Sequence, residues 1–239
     1  MRVVKENEET RPVAILAAAR QAVINRGLVG VRVADIAELA NVSSGSVHYH
    51  FETKDEELAA SFRWSAEQVF AEVEKHLAAH SSAAARLGVL LGLSVPEEGI
   101  LRDEYVIWLQ FWGQVVTDPA WLAPCEEVSA QWRSYFYQII EAGVANGEFR
   151  PVCPPGEAAD RLIALVDGLG FETVVGYRWT SAERMREMLA RFAAEQLGTP
   201  IHVGAAALAG DLATPRPLRP ELPPRAPGGG SRRMRRRSR

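Results

Sequence analysis

The chain is poor in sulfur: Cys125 and Cys153 are its only cysteines among 239 residues, and only four are methionine. Two distant thiols without metal-ligand spacing make neither a disulfide framework nor a zinc site. They point to structural thiols in a reducing, cytoplasmic setting. Long charge-free apolar runs are missing, so no membrane span is expected, and the first five residues lead into an acidic run unlike a signal peptide. Period-2 runs bounded by hairpin turns are absent, which argues against a sheet. The motifs GxGxxG, GxxxxGK followed by Ser or Thr, HExxH and GxSxG do not occur, and no carboxylate pair is singled out by spacing. Those absences leave an enzyme or a protein-interaction adaptor only as alternatives from other classes, and no cofactor is expected.

What is present is helix-forming and unevenly charged. Hydrophobic residues make up 47% of the chain, ample for a buried core. The net charge of −3 conceals three regions: residues 1–55 balance, residues 56–197 carry a net −10, and residues 198–239 carry +7. For nucleic-acid binding the distribution matters more than the total.

The pattern reads as all-α, with about nine helices. A first helix over about Pro12–Arg26 has Ile15, Ala18, Ala19, Ala22 and Val23 inward, Pro12 in its first turn and Gly27 as its stop. Two short helices follow. A long fourth helix starts after Thr53, whose spacing to Glu56 is that of a capping box, and runs to about Ala79. Further helices carry Leu87, Leu90 and Leu91; then Leu101 to Val116, apolar nearly all round; then Trp132 to Val144; then Ala159 to Val174. Thr180 and Glu183 form a second capping box before a last helix with Met185, Met188, Leu189 and Phe192 inward. From Thr199 seven of the 14 prolines, three consecutive glycines and an Arg-rich run make a tail expected to be disordered.

The stretch Val33 to Lys54 carries the most information. Val33, Ile36, Ala37 and Ala40 share one helix face, Val42 lies in a turn, and Val47 and Phe51 give a second short helix its own inward side. That second helix shows solvent Ser43, Ser44, Gly45, Ser46, His48, Tyr49 and His50. A small polar surface on a helix braced by another is what a major groove admits.

Residues 12–58 resemble the helix-turn-helix of the TetR/AcrR family of bacterial transcriptional regulators. The resemblance rests on Gly27, Ile36-Ala37-Glu38-Leu39-Ala40, Val42-Ser43, Gly45, His48-Tyr49-His50-Phe51 and Lys54. The segments WLQFWGQVVTDPAWL, GVANGEFRP and LIALVDGL are similar to the C-terminal domain of its BetI-like branch. The family often has Thr before the second helix and Arg inside it, where Val31 and Ala34 stand here.

The resemblance implies a three-helix DNA-binding domain over 1–55, a helical effector-binding and dimerisation domain over 56–198, and the tail over 199–239. It implies a homodimer that binds a double-stranded operator and is released by a small molecule; a ligand-independent regulator or an activator is the alternative within the class. Ser43 is the expected N-cap and phosphate contact, and Gly45 the point of close backbone approach. Ser44, Ser46 and His48 are the expected base readers. Tyr49 and His50 suit phosphates or thymine methyls, Lys54 a phosphate, and Arg32 replaces the missing neighbouring contact. Glu104, Trp108, Phe111, Trp112, Trp132, Tyr135, Phe136, Asp167 and Phe171 are the expected effector pocket, against a reading as plain core. Its ligand would be small, cationic or largely apolar. Leu162, Ile163, Val166, Gly170, Met185, Leu189 and Phe192 are the expected dimer interface. His48/His50 and His76/His80 have pair spacing for a metal but no third ligand, so none is expected. The Arg-rich tail reads either as a solvated extension or as an arm on DNA phosphates.

Overall fold

The computed structural model describes residues 2–206 and 208, with side chains from Pro12 onward. Among them are nine α-helices and no strand: α1 (Arg2–Arg26), α2 (Val33–Leu39), α3 (Ser44–His50), α4 (Lys54–Ala78), α5 (Ala83–Leu93), α6 (Ile100–Thr117), α7 (Leu122–Ala145), α8 (Pro155–Val175) and α9 (Ala182–Leu197). A single 3₁₀ turn, Pro119–Trp121, separates α6 from α7.

Local chemistry sets most of the boundaries. Ser43, Thr53, Ser82 and Asp118 each accept a hydrogen bond from a first-turn N–H of the element that follows. Gly27, at φ 77°, ends α1 in the left-handed region that a side chain resists. Two starts differ from expectation. The first helix begins at Arg2, not near Pro12, because the Lys/Glu/Arg-rich segment before Pro12 favours helix strongly enough to continue through the proline's missing hydrogen bond. The cap of α9 is Ser181, whose Oγ accepts from Arg184 N at 3.2 Å. Thr180 instead pairs its hydroxyl with that of Thr173 on α8 at 3.1 Å.

The stripe of α1 (Ile15, Ala18, Ala19, Ala22, Val23) packs on Val31, Ile36, Ala37, Val47 and Leu58, so α1 to α3 and the start of α4 share one core. The same core continues through α4, α5, α7, α8 and α9 without a break. Burial of each Val, Leu, Ile or Phe among them contributes about 1.5–3 kcal/mol and each Ala about 0.8 kcal/mol, and the continuity makes α4 and α6 the bridges between the two ends of the molecule. On α8, Gly170 replaces a side chain that would collide with the ring of Tyr105: a Cβ there would lie 2.1 Å from the phenolic oxygen. The close approach lets Tyr105 Oη donate to Val166 O at 3.1 Å.

The expected tail is in part structure. Residues 199–206 run on from Gly198 (φ 65°) as an extended strap across α5, burying Ile201 and Val203, and Leu208 is buried just beyond. The strap lies over Gly88 and Gly92, where Cβ atoms would sit 2.2 Å from His202 O and 2.8 Å from Gly204 O. Composition averaged over the tail hides these apolar residues, whose burial offsets the ordering cost. The Arg-rich run Arg232–Arg237 lies outside the described residues.

Candidate functional site

Two sites emerge, one at each end of α1 to α6. The first is α3. Val47 on its inner side is buried against the α1–α2 core. Asn41, at φ 54°, makes the turn that swings α3 away from α2; asparagine tolerates that region better than most side chains. Sequence reasoning passed over Asn41, although an Asn directly after an apolar helix face is a signal for such a turn. Ser43 Oγ accepts from Ser46 N at 3.1 Å.

Outward from α3 stand Ser43, Ser44, Gly45, His48 and Tyr49, all exposed, with Tyr49 at 84%. Gly45 is not demanded by the fold: a Cβ there would meet only Ser43 Oγ at 3.7 Å, an ordinary contact. Ser46 and His50 are half-buried, and the His50 ring is wedged edge-on against Tyr49 at 5.1 Å. Lys54 reaches back, its Nζ donating to Val31 O at 3.4 Å, so it ties α4 to the loop before α2. Arg32 is exposed at the α2 start; its backbone N–H donates to Asp35 Oδ2 at 3.0 Å, and its guanidinium is on the surface. All nine expected residues thus fall within the loop and helix ends around α3, although Lys54 and His50 are partly engaged internally.

The second site is a cleft between α4, α5, α6, α7 and α8. Counting its open mouth, it spans about 600 Å³. Five expected residues line it: Glu104, Trp108, Trp112, Trp132 and Asp167. Phe70, Leu93, Ser94, Leu101 and Tyr105 join them unforeseen. Phe70 stacks beside Trp132 with ring centres 6.4 Å apart, and Trp108 meets Trp112 edge-on at 5.4 Å. The wall is therefore aromatic with two carboxylates, the composition that holds a cation over ring faces. Burial pushes the Asp167 carboxyl up to about 6, partly offset by the nearby Arg133.

Four expected pocket residues lie elsewhere. Phe111 is wholly buried, stacked on Phe62 at 4.3 Å, because its side of α6 faces α4 rather than the cleft. Tyr135 and Phe136 point into the α7 core, with Tyr135 Oη donating to Glu74 Oε1 at 2.9 Å. Phe171 is on the outer side of α8 and 42% exposed.

Most of the expected interface residues are turned inward. Leu162, Ile163, Val166, Gly170, Met185 and Leu189 are buried within this one chain, filling the seams of α8 and α9, and Phe192 is half-buried. A residue consumed by its own core has no surface left for a partner. On α8 the outward stripe is Ala164, Gly168, Phe171 and Val175. No group of three or more potential metal ligands occurs among the described residues.

A three-helix reading unit joined to a larger helical body with an aromatic, acid-bearing cleft defines a DNA-binding, ligand-responsive transcriptional regulator. The comparisons name its family. Residues 15–60 match the model for bacterial regulatory proteins of the tetR family, and residues 83–198 match the C-terminal model of the BetI-type transcriptional repressor. The HTH-type transcriptional regulator BetI of Burkholderia thailandensis is 32% identical over 165 residues, which are 67% of this chain and 80% of that protein. A putative transcriptional regulator from Saccharomonospora viridis, crystallised in complex with choline, shares 32% identity at a TM-score of 0.73, over 80% of this chain and 98% of that one. A putative TetR-family regulator from Rhodococcus sp. shares 28% at 0.68, over 77% and 96%. The chain belongs to the tetR family and carries a BetI-type C-terminal region; its relatives are regulators, not enzymes. No helix among the described residues is long and apolar enough to cross a membrane.

Proposed function

We propose that the protein is a homodimeric repressor whose α3 helices read an operator and whose cleft takes a small quaternary ammonium that releases it. Residues 1–55 act as the reading unit and residues 56–198 as the effector and dimerisation unit. The observation that carries the effector class is the cleft itself: Tyr105, Trp108, Trp112, Trp132 and Phe70 around Glu104 and Asp167. Aromatic faces and carboxylates together favour a desolvated cation over an anion or a neutral lipid. The choline in the similar Saccharomonospora protein supports this reading.

On the reading unit, Ser44 and His48 are placed for base edges, with Ser46 beside them, while Ser43, Arg32 and Lys54 suit phosphates. The dimer would form over the outer stripe of α8, Ala164, Gly168, Phe171 and Val175, flanked by the half-buried Met188 and Phe192 of α9. A two-fold pair sets two α3 helices on half-sites one turn of DNA, or a multiple of it, apart.

The test is fluorescence anisotropy on the intergenic DNA beside the gene, against scrambled DNA of equal length at physiological salt. A preference of about 10³-fold or more is expected for a sequence-specific regulator, with choline reducing it. Tyr49→Ala, an exposed change, is expected to cost about 1–3 kcal/mol of operator binding with the fold intact. Equal, weak binding to both DNAs across the flanking region would count against the operator reading, and tight binding unaffected by choline against the effector.

A further inference from the structure

One carboxylate of the cleft has a second allegiance. Glu104, on α6, faces the cleft, yet it is almost wholly buried and ion-paired to Arg20 of α1, 84 positions earlier. Arg20 is 5% exposed and therefore cannot touch DNA. Its Nε donates to Glu104 Oε1 at 2.9 Å and to Ser65 Oγ at 3.0 Å, and Ser65 Oγ donates to the same Oε1 at 2.8 Å. Two of these three hydrogen bonds fall on one carboxylate oxygen, Glu104 Oε1. Arg20 Nη2 also approaches Oε1, at 2.8 Å, but makes no well-directed hydrogen bond and is left as a buried, unsatisfied donor.

Asp167, the other acid of the cleft, has no such link to α1 among the described residues. The same helix α6 grips α1 a second time. Gln110 Nε2 donates to Val23 O at 3.3 Å, and its Oε1 accepts from Leu28 N, closing the last turn of α1. Thus α6 shows the cleft one side and α1 the other, and Glu104 is the residue present on both.

We infer that Glu104 is the specificity-determining residue through which the charge of a cleft ligand is read by the DNA-binding end: a cation in the cleft and Arg20 draw on one carboxylate. The inference rests on the cationic-effector reading for its natural ligand. An ion pair in a low-dielectric site is held by the full charge of both partners, so a third charge alongside alters it strongly. A cation beside Glu104 weakens its hold on Arg20, the seat of α1 on α6 loosens, and α2 and α3, which pack on α1, lose their fixed spacing for an operator. A neutral ligand of the same shape fills the cleft and leaves the pair intact. By linkage, operator binding lowers the cation's affinity by the same factor.

The test tethers the charge, so that ligand affinity does not enter. Val69→Cys, on the half-exposed rim of the cleft, is made in a Cys153→Ser background. It is labelled with a methanethiosulfonate carrying a trimethylammonium group or with its neutral tert-butyl isostere. The charged label is expected to weaken operator binding about tenfold or more beyond the neutral one, within the usual range of coupling between sites. In Arg20→Met/Glu104→Gln, which removes both charges of the pair, unlabelled operator binding falls toward that of the parent carrying the charged label, and the difference between labels disappears. Asp167→Asn keeps the difference. Equal effects of the two labels in the parent would overturn the inference without any need for the double variant. So would a difference that survives in the double variant. Choline is titrated separately. A tethered ammonium that releases DNA where free choline does not would remove choline as the effector and leave the coupling standing.

Discussion

Glu57 sits in the first turn of α4 with no exposed surface and neither carboxylate oxygen hydrogen-bonded. Burial pushes its carboxyl from 4.5 up to about 7. The sign follows from linkage. Below 4.5 the folded and unfolded chains both hold the proton; between 4.5 and about 7 only the folded chain does, so stability falls as pH rises, then levels off. The fall is about 3 kcal/mol. Glu57→Gln is expected to recover most of it at pH 8 and to flatten the 4.5–7 window, as read by denaturant unfolding at pH 5 and 8. An unchanged slope in the variant would mean that other groups set it. Asp167 makes the matching case for binding. With its carboxyl at about 6, it is charged at pH 7.5 and largely neutral at pH 5. Choline affinity is therefore expected to drop roughly tenfold, about 1.4 kcal/mol, across that range, and Asp167→Asn to be weak and pH-independent there. Calorimetric titration at the two pH values decides it.

Among the elements, α5 shows how a helix can be built for a partner that follows much later in the chain. Gly88 and Gly92 are interior glycines one turn apart, each unfavourable to the helix by about 1 kcal/mol relative to Ala. They open a groove in which the backbone of the 199–206 strap lies in direct contact. Gly88→Ala would place a Cβ 2.2 Å from His202 O, against backbone that has no rotamer to change. The expected result is displacement of the strap and loss of the Ile201 and Val203 burial, a destabilisation of about 1–3 kcal/mol. Faster proteolysis between residues 199 and 206 would report it; cleavage at the parent's rate would show that the groove is dispensable. The α8 helix makes the complementary point. Its sequence is apolar on two sides, and its inner side is matched so closely that Gly170 gives way to the Tyr105 ring, while no atom lies within 4 Å of a Cβ built on Gly168.

Across the whole molecule, charge and surface separate the two tasks. The net −10 of residues 56–197 would repel DNA if the body approached it, which accords with the proposed reading end at α3. The outer side of α8 runs on into an exposed aromatic cluster. Phe171 meets Tyr177 edge-on at 6.3 Å, Tyr177 lies 4.6 Å from Trp179, and Trp179 is 58% exposed. A contiguous apolar surface of this kind marks an interaction site. The double variant Phe171→Asp/Val175→Asp is expected to sediment as a monomer and to lose about 10²-fold or more in operator affinity, since each α3 then binds without its tethered twin. A variant that stays dimeric would move the interface elsewhere.

Much of the architecture is decided within a few residues of chain. Helix periods, serine and threonine caps and the Gly27 stop act locally, so the order of helices, the Ser43 cap and the polar outer side of α3 are legible in the sequence. The supply of aromatic and acidic residues for a cleft is legible too. Only the tertiary structure decided which side of each apolar helix was spent on the chain's own core. It turned Phe111, Tyr135, Phe136 and the Leu162–Leu189 set inward, and brought Phe70 and Tyr105 to the cleft. It also seated the strap on α5 and paired Arg20 with Glu104 across 84 positions. The reason is physical: a helix period fixes which residues share a face, but the partner that covers that face arrives from distant chain and is chosen by packing and charge together.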